Sequence, residues 1–336
     1  MSDRAPRAVT PIAFVGAIVL AYERYGRSPA EALAKAQIAP SLLKRNDARI
    51  SAAQMEAVSA FAMQQLDDEA LGWFSRRLPW GSYGMLARAS ISAPDLGLAL
   101  KRWCRHHGLL TDDLVLTLEA SGGRARLRIH ERRAPSAGLR EFCLVTLLRN
   151  VHGVACWLVD SRIPLDAVHF PFAAPPHAAV YPLLYPGPVN FDAAGAGFDF
   201  DARYLALPLK RDERALNQML QRALPLTVLP YRRDRLQAQR VRQWLHAFPG
   251  QAHSAASVAA ALNVSVRTLH RQLAEEGSSL QALKDEARRE HAIALLTRSQ
   301  RPVKQIAAAV GFASEKSFAR AFREWTGRTP SALRRR

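Results

Sequence analysis

Two clusters of side chains in the last third of the sequence have the types and spacing to grip a polyanion. Ser265 is followed by Arg267, Thr268, His270 and Arg271. Forty-nine residues after that serine, Ser314 is followed by Glu315, Lys316, Ser317, Arg320 and Arg323. Arginine presents a planar fork of donors that fits the O6/N7 edge of guanine or a phosphate, and a carboxylate can accept from cytosine N4. A serine at a helix N-terminus adds a hydroxyl beside unpaired backbone N–H groups, which suits a phosphate oxygen. On this chemistry Arg271 and Arg320 are the first candidates for base edges, with Arg267, His270 and Lys316 behind them. Glu315 is the candidate for cytosine, and Ser265 and Ser314 for phosphates. Any one of these cations alone also fits an ordinary solvated surface, so the ordered repetition carries the meaning.

The elements that must position them are legible from the spacing. Ser314 is a helix N-cap, and Phe318, Ala321, Phe322 and Trp325 fall at i, i+3, i+4 and i+7, one stripe of an amphipathic helix. Gly327 supplies a stop and Pro330 bars continuation. A shorter helix at 303–310 precedes it, closed by Gly311-Phe312. Starting at Ser254, the same unit occurs earlier: Val258, Ala259 and Leu262 inward, a turn at Asn263-Val264, Ser265 as cap, Leu269 and Leu273 inward, and a stop at Gly277. Two helices joined by a short turn, the second cationic outside, form a helix-turn-helix. Between the units the spacing predicts a helix over about 280–299, with Leu283, Ala287, Leu295 and Leu296 inward and Lys284, Arg288, Arg289 and Arg298 outward. About eighteen residues at ~1.5 Å each give roughly 27 Å, comparable with the ~34 Å between successive major-groove faces of a duplex.

Composition agrees. The chain has 336 residues, 49% of them apolar, and a formal charge of +18. Residues 231–336 hold 20 Lys+Arg against 8 Asp+Glu, a net of +12, and the first 230 hold 27 against 21, a net of +6. A third of the chain thus carries two thirds of the excess, the footprint of a polyanion-binding module. Cys104, Cys143 and Cys156 form no CxxC pair, which suits reduced thiols in the cytoplasm. The apolar run at 12–22 is short and ends at Glu23-Arg24. With Thr10 as N-cap and Pro11 as first helical residue it reads as a buried helix, and no membrane span is expected elsewhere.

The front of the chain predicts helices throughout 10–75, including a short one at 29–37 and one capped by Ser51, with Asp67-Asp68-Glu69 as a solvated helix end. An aromatic connection at 73–81 and a helix at 94–107 follow. Alternation at 114–118 and 125–129 about Gly122-Gly123 predicts a hairpin. A long apolar helix at 140–159, strands at 168–172, 189–191 and 198–209, and a short helix at 175–184 complete an α+β domain. Pro225 and Pro230 mark a boundary. The expected organisation is therefore multi-domain: an α+β sensor and dimerisation domain at 1–225, a linker at 226–231, and an all-α domain at 232–336. Its helix-turn-helix units fall at about 254–277 and 303–326, joined by a long helix.

Residues 232–336 resemble the DNA-binding domain of the AraC/XylS family of bacterial transcription regulators. Ala259, Leu262, Ser265, Leu269, Arg271, Leu273 and Gly277 match in the first unit, and Arg288, Ala292 and Leu296 in the linking helix. In the second, Ile306, Ala307, Gly311, Phe312, Ser314, Phe318, Arg320, Ala321, Phe322, Gly327, Pro330 and Arg334 match. Leu333 stands where the family usually has an aromatic, and Leu280 where it often has Phe. The first 220 residues resemble the α+β sensor of the ornithine- and alkane-responsive subgroup rather than a cupin sensor. The resemblance implies a ligand-responsive regulator, of the activator kind, that binds promoter DNA, contacts RNA polymerase, dimerises through its front domain and takes a small-molecule effector; it implies no cofactor. Trp80, Tyr83, Trp103, Phe142, Trp157, Phe170 and Tyr181 (with Phe172 and Tyr185) are candidates to line a mostly apolar pocket between helix 140–159 and the sheet, or simply to fill the core.

A DNA-repair or other enzyme fused to such a module is the chief alternative. It would need a nucleophilic cysteine beside a histidine and a cysteine-rich zinc cluster. His152 and Cys156 at i, i+4, and Cys104 near His106, supply two metal ligands each without a third, so no metal is expected. No Gly-rich phosphate loop, GxSxG or HExxH occurs. A constitutive DNA-binding protein without effector is the third reading, against which stands the large aromatic-rich front.

Overall fold

The computed structural model describes residues 8–185, 187–221, 236–248, 254–299 and 301–334. It divides into two compact units, Met1–Arg232 and Arg233–Arg336. The expected linker at 226–231 lies outside the described residues.

The first unit begins with β1 (Ala8–Pro11), which pairs antiparallel with β2 (Arg49–Ser51). Between them run α1 (Ile12–Arg24) and α2 (Ala30–Lys35). The expectation of helix throughout 10–75 is therefore corrected. Thr10 is in the strand opposite Ile50, and Pro11 rather than Thr10 occupies the N-cap of α1, without a side-chain cap bond. The pairing partner is some forty residues away, beyond any local pattern. Ser51 does cap α3 (Ala52–Leu66): it accepts from Gln54 N while Gln54 Oε1 accepts from Ser51 N, a capping box.

Beyond lie α4 (Ser82–Ile91) and α5 (Leu96–Leu110), the latter capped by Asp95 accepting from Leu98 N. Strands β3 (Leu114–Ser121) and β4 (Arg124–Glu131) form the hairpin about Gly122 and Gly123, both at positive φ as a type I′ turn requires. Then come α6 (Ala137–Val159), β5 (Ala167–His169), α7 (Tyr181–Leu184), β6 (Val189–Asn190), β7 (Ala196–Asp201) and α8 (Glu213–Leu220). The sheet order is β3-β4-β7-β5-β6, antiparallel except for β5 with β6. The strand expected over 198–209 stops at Asp201, whose carboxylate accepts from Arg203 N and starts a 3₁₀ turn. Helices α4 and α8 had no counterpart in the sequence expectations.

Helix α6 is the spine of this unit. It is long and apolar enough to cross a membrane, yet 78% of its apolar window is buried in the domain. Leu114, Leu116, Leu127, Ile129, Val168, Phe198 and Phe200 are buried on the strands.

The second unit is helical: α9 (Leu236–Ala247), α10 (Ala255–Ala261), α11 (Val266–Glu275), α12 (Leu280–Arg298), α13 (Val303–Ala309), α14 (Glu315–Thr326) and α15 (Pro330–Arg334). Its apolar side chains form two clusters. Val241, Val258, Leu262, Leu269 and Leu273 close around Leu280 and Leu283 from the start of α12. Ile306, Ala307, Val310, Phe318 and Phe322 close around Ala292 and Leu296 from its end. One helix thus belongs to both cores. Leu280 is buried and Leu333 packs on the second cluster, so both departures from the family pattern are core substitutions.

Candidate nucleic-acid interface and sensor cavity

Both outer helices are built the same way. Ser265 Oγ accepts from Thr268 N at 3.1 Å, and Ser314 Oγ accepts from Ser317 N at 3.1 Å. The hydroxyls of Thr268 and Ser317 join the same caps, at 2.8 and 2.9 Å from Ser265 Oγ and Ser314 Oγ. These four residues start the helices, whatever else they touch. Leu269 and Leu273 anchor α11, and Phe318 and Phe322 anchor α14; each is fully buried. Full burial of such side chains stabilises by roughly 1.5–3 kcal/mol each. The 3.6-residue repeat then turns Arg267, His270 and Arg271, and Glu315, Lys316, Arg320 and Arg323, to the exposed side.

The preceding turns match too. Asn263 N bonds Ala260 O and Val264 N bonds Ala259 O; Gly311 N bonds Ala308 O and Phe312 N bonds Ala307 O. This is the Schellman stop in both units. Arg288 from α12 lies 5.5 Å over the Phe312 ring and so braces the second turn. The first helix-turn-helix is braced through Glu276, whose carboxylate accepts from Gln237 N and Ala238 N at the start of α9. Arg242 on α9 pairs with Glu286 on α12 at 2.7 Å. Val266, the first residue of α11, is 39% exposed on this cationic side. An apolar residue next to a cap carries no sequence signal that separates a surface position from a core one.

In the first unit a cavity of about 380 Å³ opens among α3, α4, α5, α6 and α8. Trp80, Tyr83 and Trp103 line it. It does not lie between α6 and the sheet as expected. Asn150 and Val154 face the cavity, whereas His152, about 200° round the helix from Asn150, stacks edge-on against Phe198 of β7. The other candidates sit elsewhere. Phe142 packs on Phe14 and Trp73; Trp157 lies under the Arg211 guanidinium; Phe170 and Tyr181 join Phe172, Tyr185 and Phe191 in an aromatic cluster, with the Tyr181 hydroxyl donating to Glu141.

The acidic run at 67–69 is a correction. Asp68 is fully buried and accepts from Ala70 N, Gly72 N, Leu78 N and the Tyr25 hydroxyl. Glu69 accepts from Gly81 N and Tyr83 N at 2.8 Å each, holding the first turn of α4, and burial pushes its carboxyl above the usual range. What looks like a solvated helix end organises the whole 67–83 connection. Only the cost of leaving three backbone N–H groups buried without an acceptor explains a carboxylate there.

Burial holds two of the three cysteines as neutral thiols. Burial raises the Cys104 thiol to about 12 and the Cys143 thiol well above its ordinary value. His152 Nε2 lies 2.8 Å from Ile163 O, which can only accept, so that nitrogen carries the proton and cannot serve Cys156, 3.5 Å away, as a base. Burial holds this imidazole down to about 4. Among the described residues no three His, Cys, Asp or Glu side chains cluster as metal ligands would.

Comparison with known proteins agrees with this architecture. Residues 26–209 match the family described as the arabinose-binding domain of AraC transcription regulator, N-term, and residues 258–336 match the helix-turn-helix domain family. The ornithine utilization regulator of Pseudomonas aeruginosa is 29% identical over 329 residues, covering 97% of this chain and 96% of that protein. The HTH-type transcriptional regulator VqsM of the same organism is 27% identical over 265 residues, covering 75% and 79%. Among solved structures, the transcriptional regulator CdpR from Pseudomonas aeruginosa aligns over 92% of this chain and 96% of its own at 22% identity, with a TM-score of 0.35.

Proposed function

The chain belongs to the AraC family of transcription regulators, and from that premise we propose that it reads a bipartite promoter site with α11 and α14 laid in successive major grooves. It is a DNA-binding transcription regulator. The observation that carries the finer reading is the duplicated helix: the same serine cap, the same buried pair and an arginine six residues past each cap, Arg271 and Arg320, on the exposed side. The nineteen residues of α12 span about 28 Å and contribute to both cores, so the two recognition helices are held on one strut. Arg271 and Arg320 take guanine edges, Glu315 takes a cytosine amine, and the remaining cations neutralise phosphates. Val266 suits a thymine methyl.

The cavity of the first unit is the effector site in this reading, and α8, which lines it through Met219 and Leu220, is the last described element before the second unit. The protein works in the cytoplasm, as a dimer through its first unit, and activates by contact with RNA polymerase, without catalytic chemistry of its own. Genome-wide mapping of occupied sites tests the DNA reading. The recovered sequences should contain two short motifs one helical turn, ~10.5 base pairs, apart. Arg271→Ala should erase preference in one motif and Arg320→Ala in the other. A single motif, or equal loss on operator and random DNA, would reassign both arginines to phosphate contacts.

A further inference from the structure

We propose that the cavity among α3, α4, α5, α6 and α8 takes a small organic cation: a protonated amine at Glu69, an apolar body along Trp80 and Met85, and an oxygen acceptor at Trp103. This deepens the proposal above and rests on that cavity being the effector site.

Three observations converge. First, the Glu69 carboxylate on the cavity wall is desolvated, accepts two backbone N–H groups and pairs with no cation among the described residues. Its neighbour Asp68 is a further carboxylate and is fully buried. The one arginine on the wall, Arg88, is already committed to Glu213 and Asn217 on α8. The local charge is therefore negative, and each Glu69 oxygen keeps a second lone pair for a donor. An ammonium group would supply the missing counter-charge, whereas a carboxylate would meet repulsion in a poorly solvated site.

Second, Trp103 is 1% exposed, lines the cavity, and its Nε1–H has no acceptor among the described residues. Indole nitrogen can only donate, so what satisfies it must carry an acceptor. The Tyr83 hydroxyl is likewise enclosed, with no partner among the described residues. Third, Tyr83 links the two ends. Its backbone N–H is on Glu69, and its ring stacks on Trp103 at 6.3 Å. Aromatic faces beside a carboxylate favour a cation over a neutral group of equal size.

Tyramine carries all three parts and serves as the probe. Its thermal shift on the full-length protein is compared with 4-ethylphenol, which lacks the charge, 3-(4-hydroxyphenyl)propanoate, which reverses it, and 2-phenylethylamine, which lacks the oxygen. We expect tyramine to bind at least about tenfold more tightly than each of the other three. Glu69→Gln, which keeps a carbonyl for the α4 turn, should abolish the preference for both amines over the phenol. Trp103→Phe should weaken tyramine and leave 2-phenylethylamine unchanged. If the phenol or the acid binds as well as tyramine, the cationic assignment is overturned and the cavity remains the effector site. If none of the four shifts the melting temperature, the cavity reading falls with it. Should Glu69→Gln fail to fold, the order of the four ligands on the unaltered protein still decides.

Discussion

Asn263 and Gly311 hold the same left-handed backbone position in the two helix-turn-helix units, with φ of 54° and 82°. Each ends the first helix of its unit and sends the chain toward the serine that caps the next. From there the chain takes two steps to Ser265 but three to Ser314, so the second turn is one residue longer although both stops are closed by equivalent hydrogen bonds. The two sites nevertheless tolerate different chemistry, because a side chain in this region costs about 1–2 kcal/mol unless it is Asn or Asp. Gly311→Ala should therefore lower the stability of the helical unit by about 1–2 kcal/mol, and Asn263→Gly should change it by less than about 0.5 kcal/mol. Urea melts of the two variants check both figures.

Glu276 closes the first helix-turn-helix by capping a helix that precedes it by nearly forty residues. Its carboxylate is buried and bonds Gln237 N at 2.9 Å and Ala238 N at 2.7 Å. Glu276→Ala leaves those two donors without their acceptor and removes a negative charge from a helix N-terminus, so a loss of about 2–3 kcal/mol is expected. Glu276→Gln keeps one acceptor oxygen and should lose about half as much. Amide exchange at 237 and 238 should quicken in both variants.

The two arginines of α14 should separate by role. Arg320→Ala is expected to cost about 1–3 kcal/mol on the operator and to flatten preference at one base pair. Arg323→Ala, nearer the helix C-terminus, should weaken operator and random DNA alike and reduce the slope of log affinity against log salt by about one. Titrations at several salt concentrations on both DNAs distinguish them.

His107 gives the sensor unit a pH dependence. It is fully buried against Phe74 and Tyr83, and burial pulls its imidazole down to about 4 from 6.5. A base depressed in the folded state is neutral there while its unfolded counterpart protonates. Its contribution is thus intact above pH 6.5 and lost as pH falls toward 4. Between about pH 7 and pH 4.5 the wild type should lose about 2–3 kcal/mol more than His107→Phe, measured by urea unfolding at the two values.

What the sequence determined by itself is what neighbours a few residues apart can encode. The serine caps, the i, i+3, i+4 stripe ending in Phe322 and Trp325, and the two-glycine hairpin all rest on contacts within one or two turns, so composition and spacing sufficed. The recognition helices and their outward cations follow from that short-range order, which is why the nucleic-acid face is legible in the sequence. The sensor cavity was decided elsewhere. Trp103, Glu69, Asn150 and Leu220 come from separate elements, and nothing in their local patterns says that they share a wall. The pairing of β1 with β2 and the conversion of Asp68 from an apparent surface acid to a buried acceptor have the same origin. Each is fixed by which distant backbone groups would otherwise be buried unbonded, and only the folded chain settles that balance.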